Sequence, residues 1–90
     1  MKSDVNYAYG EAQNAVSKLK MAVRIVLGNN VKTGLSNAAI GRTLGIYAGH
    51  VRHEGHISRT SLAMMEAEGV VQHDKDSKMW RLRDHSTGEE

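Results

Sequence analysis

"ISRTSLAMMEAEGVV", Ile57 to Val71, decides how the rest of the chain is read. Ile57, Ser61, Leu62 and Met65 recur at helical spacing and fall on one side, while Arg59 and Thr60 fall on the other. The pattern predicts a helix from about 57 to 68 that buries its leucine–methionine side. Gly69 stands where a helix-ending glycine belongs, and Val70 and Val71 then open an extended run.

Working back from that helix, "LSNAAIGRTLGI", Leu35 to Ile46, predicts a shorter one. Ser36 or Asn37 can cap its start, Ala39, Ile40 and Leu44 form its buried side, and Gly45 stops it. "VKTG", Val31 to Gly34, reads as a linker. "EAQNAVSKLKMAVRIVLG", residues 11–28, carries one apolar stripe of Ala12, Val16, Leu19, Val23 and Val26, ended by Gly28 and two asparagines. Met21 and Ile25 make a second small apolar face. It is expected to join the core, the alternative being contact with another subunit. The polar start "MKSDVNYAYG", residues 1–10, reads as a flexible arm.

Working forward, "VVQH" and "KMWRLR" flank the turn-rich "DKDS", Asp74 to Ser77, and predict a hairpin. Trp80 and Leu82 alternate with Met79, Arg81 and Arg83, so one face is apolar and the other basic; Arg81 and Arg83 read as the solvated face of an edge strand. The predicted architecture is mainly α with a small β-hairpin, order α-α-α-β-β. The folded domain covers residues 11–84, and 85–90 form a disordered tail.

The ninety residues allow a single small domain with a modest core. The chain has no cysteine, which excludes disulfides, thiolate catalysis and cysteine-bound zinc. No apolar run is long enough for a bilayer and no leader-like segment follows Met1, so a cytoplasmic location is expected. A net charge of +2 permits an anionic partner without demanding one.

The order of elements, with "LGI" at 44–46, "MEAEGVV" at 65–71 and "MWRLR" at 79–83, resembles the winged helix-turn-helix superfamily over roughly residues 12–83. The resemblance implies that 57–68 is a recognition helix, that the hairpin is the wing, and that Trp80 and Leu82 dock on the core. It also implies that the start of the recognition helix approaches base edges. One departure stands out. The turn between helices two and three is enlarged, about ten residues from Ile46 to Ile57 where three or four are usual.

The candidate DNA contacts follow from chemistry at that helix start and in the flanking loops. A helix N-terminus favours phosphate through its free N–H groups and dipole. Arg59 can grip guanine in bidentate fashion, and Ser58 and Thr60 can donate to phosphate. Arg52, His53 and His56 add cationic or polar groups from loop 47–56, and Lys75 and Lys78 reach from the wing, where Asp74 and Asp76 oppose them. If the histidines face DNA, protonation strengthens binding as pH falls.

His50, His53 and His56 also have a ligand-like rhythm, but Gly49 and Gly55 break a regular helix there. His53-Glu54-Gly55-His56 is one residue short of the zinc-protease pattern. No metal or cofactor is assigned, and no nucleophile, phosphate loop or facing carboxylate pair suggests an enzyme. The expectation is a double-stranded DNA-binding protein, a small transcriptional regulator acting as a homodimer. The competing reading is a winged-helix protein–protein interaction module with no DNA contact.

Overall fold

The computed structural model describes residues 2–47 and 55–83. It contains α1 (Lys2–Gly28), α2 (Asn37–Thr43), α3 (His56–Ala67), β1 (Val71–His73) and β2 (Trp80–Leu82). The order of the elements agrees with the sequence reading: three helices, then a two-stranded antiparallel hairpin.

Helix α1 corrects the expected start at residue 11: residues 2–10, read as a loose arm, are its first turns. The polar letters and Gly10 hid a stripe. Val5, Ala8, Tyr9 and Ala12 continue the rhythm of Val16, Leu19 and Val23, and Asp4 sits in the first turn, where a carboxylate suits the helix dipole. Met21 and Ile25 are 63% and 59% exposed, so the expected core contact is overturned. They project from the side of α1 opposite Val23 and Leu27, which are fully buried.

Helices α2 and α3 close in the same way. In α2 the N–H of Gly45 donates to Arg42 and that of Ile46 to Gly41; in α3 the N–H of Gly69 donates to Glu66 and that of Val70 to Met65. These paired bonds satisfy the last carbonyls and turn the chain sharply. Ser36 caps α2, its side chain accepting from the Ala39 N–H at 3.1 Å. Between them the helices and hairpin bury Val23, Leu27, Ile40, Leu62, Met65 and Val71, with Leu35, Leu44, Val70, Trp80 and Leu82 packed against this core. Leu62, Met65, Trp80 and Leu82 therefore point inward as their spacing predicts.

The segment before α2 is more than a linker. Leu35 bridges Trp80: its N–H donates to the Trp80 carbonyl at 3.0 Å and its carbonyl accepts from the Trp80 N–H at 2.7 Å. The hairpin, registered Val71 to Leu82 and His73 to Trp80, is thus tied to the helical body. Gly34 makes this approach possible. Its φ is +73°, and a Cβ there would lie 2.5 Å from the Trp80 carbonyl oxygen. Lys20 and Glu68 add an ion pair between α1 and the end of α3, at 2.6 Å and partly exposed. Such a pair contributes about 1 kcal/mol or less.

Candidate nucleic-acid interface

The start of α2, the first turn of α3 and the hairpin surround an open groove of about 450 Å³. Arg59 enters it from α3, Lys78 and Trp80 from the hairpin, and Asn37 and Tyr47 from the α2 side. Arg59 and Lys78 are both exposed. Two cations far apart in sequence therefore share one concave surface, which concentrates positive charge there. The Lys78 backbone has φ 65°, an uncommon left-handed geometry for a residue with a side chain. Its N–H donates to the Asp74 carbonyl at 2.7 Å, which holds the bend that carries Lys78 into the groove.

The turn itself is built around Asp74. Its carboxylate accepts from the Ser77 hydroxyl at 2.9 Å and from the Asp76 N–H at 3.0 Å. These bonds, the Ser77 one foremost, hold its pKa below the ordinary aspartate value, with a smaller pull from Arg81. Asp74 is thus a fixed anion that shapes the turn, beside exposed Lys75. Arg81, expected on a solvated face, is half-buried, and its Nε is buried without a partner among the described residues. Arg83 is exposed as expected.

Ser58 requires a correction. It was expected to donate to phosphate, but it is fully buried. Its hydroxyl donates to Oδ1 of Asn37 at 2.7 Å, with the Gly55 carbonyl 3.1 Å away. Asn37 in turn donates through Nδ2 to the Gly55 carbonyl at 3.1 Å. Gly55 is the N-cap of α3 and brings no side chain of its own. Among the described residues no side-chain hydrogen bond caps α3; Asn37 and Ser58 instead donate to the Gly55 carbonyl and bond each other, tying the start of α3, which carries Arg59, to the start of α2.

The remaining expected contacts divide. His56 and Thr60 line a different opening, the seam between α1 and α3 that also includes Val16, Leu19, Ile57 and Met64. They do not share the Arg59 groove. Arg52 and His53, together with His50, lie outside the described residues. Among the described residues no three His, Asp or Glu side chains gather into a metal-ligand group, and no helix is long and apolar enough to cross a membrane.

Sequence reasoning missed Tyr47. Tyr47 lines the groove and lies under the Arg42 guanidinium, 4.5 Å from its ring centre, so Arg42 is held near the same face. The Trp80 ring packs beside His73 at 4.4 Å between centres. Only a position three-dimensionally adjacent to Arg59 gives Tyr47 this meaning, since a lone tyrosine after a helix has no spacing signal. Comparison with protein-family models, curated proteins and solved structures finds no match for this chain.

Proposed function

We propose that this chain is a winged helix-turn-helix domain that binds double-stranded DNA and acts as a small transcriptional regulator. The observation that carries the reading is the convergence of Arg59 and Lys78 on one open groove between α3 and the hairpin. Helix α3, twelve residues and about 18 Å long, is of a size to enter a major groove. Arg59 in its first turn reaches base edges, and Lys78 meets a flanking phosphate from the wing. Few cations are offered per copy, so two copies on adjacent half-sites supply the affinity.

The single tryptophan, Trp80, lines this groove and serves as the reporter. Titration with duplex DNA at low salt should change its fluorescence, and the affinity should fall steeply as salt is raised. Arg59→Ala should cost about 1–3 kcal/mol of specific binding. Lys78→Ala should lower the salt slope by about one. An unchanged affinity in Arg59→Ala removes α3 as the reading element. The second reading, a protein-interaction module, is favoured by the small net charge and by the exposed Met21 and Ile25. Absence of duplex binding even at low salt would select it.

A further inference from the structure

The N-terminal half of α1 carries an apolar stripe that nothing among the described residues covers. Apart from half-buried Gly10, residues 4–15 are exposed, and Val5 and Tyr9 are each 68% exposed. Yet Val5, Ala8, Tyr9 and Ala12 are in phase with Val16, Leu19 and Val23, the side that enters the core. Helices of about 12–15 residues without tertiary support are marginal in water. Gly10 within this stretch weakens it further, by about 1 kcal/mol relative to alanine.

We infer that a second copy of this chain covers the stripe, the two α1 helices crossing antiparallel with Ala12 on the two-fold axis. Three observations select a second copy. First, the stripe runs directly into an open apolar seam of about 290 Å³ between α1 and α3, walled by Val16, Leu19, Ile57 and Met64. In a two-fold pair each protruding stripe reaches the other copy's seam, because the same surface serves both sides. Val5 then faces the partner's Leu19, and Tyr9 faces the partner's Ala15. Second, the residues nearest the axis on this face, Ala8, Ala12 and Ala15, are small. They let the backbones approach toward the short end of the usual range, about 8 Å between axes. Third, charge sorts along the helix. The N-terminal half has Asp4 and Glu11 against Lys2, a net −1, and the C-terminal half has Lys18, Lys20 and Arg24, of which Lys20 also pairs with Glu68 in its own copy. An antiparallel crossing sets the acidic half of one copy along the basic half of the other.

The pairing needs no DNA, so it is tested apart from the proposed function, on the full chain by sedimentation equilibrium without nucleic acid. The wild type sediments as a dimer, and Tyr9→Glu, which alters no core contact, weakens the dimer roughly tenfold or more. Since the chain has no cysteine, a single introduced thiol reports the geometry without unfolding anything. Ala12→Cys forms a disulfide with its own copy on mild oxidation, as Cα atoms within about 7 Å allow. Asn14→Cys, on the opposite side of α1, does not. A wild type that sediments as a monomer overturns the inference. So does a cross-link through Asn14→Cys with Ala12→Cys remaining reduced, because it would place Met21 and Ile25, not the Val5 stripe, at the contact.

Discussion

Replacing Gly34 by alanine tests how the hairpin is held to the body. Two costs act at this position. The left-handed φ of +73° is unfavourable for any residue with a Cβ, by about 1–2 kcal/mol. The new Cβ would also stand 2.5 Å from the Trp80 carbonyl oxygen and 2.8 Å from Cγ of Arg81, so the strand must move away. That movement breaks the two Leu35–Trp80 hydrogen bonds, worth about 0.5–1.5 kcal/mol each. Together the loss is about 2–5 kcal/mol, a large part of the stability of roughly 5–13 kcal/mol expected for ninety residues. Gly45→Ala is the internal control: its φ is +72°, but nothing lies within 4 Å of the added carbon, so it bears only the conformational cost. Urea unfolding followed by Trp80 fluorescence and by circular dichroism measures both. Under the proposed function, the variant with the shifted hairpin should also bind DNA more weakly than Gly45→Ala, because Lys78 leaves the groove. Equal losses for the two glycine variants would refute the reasoning and show that the bridge does not anchor the hairpin.

Other outcomes follow from individual contacts. Ser58→Ala should lower stability by about 1–3 kcal/mol in urea unfolding, since it deprives Asn37 of a buried donor; an unaltered midpoint would mean that the serine holds nothing. Asp74 has a folded-state pKa below its ordinary value, so its contribution is present at neutral pH and is lost as pH falls through the acidic range into that depressed value. Ser77→Ala should raise the Asp74 pKa toward the ordinary value in an NMR titration, and an unmoved titration would displace Ser77 as the principal cause. Met21→Lys should change stability by no more than about 0.5 kcal/mol, as expected for an exposed site; a loss of several times that in thermal unfolding would return Met21 to a buried contact.

The three helices and the hairpin were legible from spacing because each signal is local. Ser36 before α2, the glycines after α2 and α3, and the alternation of Trp80 and Leu82 all act within a few residues of the feature they specify. The start of α1 was not legible in the same way. Gly10 and the polar letters around it outweighed a stripe that is continuous only when the whole 27-residue helix is drawn. Met21 and Ile25 were misplaced for a related reason: helical spacing identifies an apolar face but does not say which face meets the body.

The sequence by itself determined the order of three helices and a hairpin and that Leu62 and Met65 turn away from Arg59, because periodicity is a property of neighbours along the chain. Only the tertiary structure decided that Ser58 is a buried lock and not a phosphate donor, that Leu35 pairs with Trp80, and that Arg59 shares its groove with Lys78 while Thr60 and His56 face another. Those facts depend on the angle between α2 and α3 and on where the hairpin lands. Packing across long stretches of chain sets both, and no local spacing encodes them.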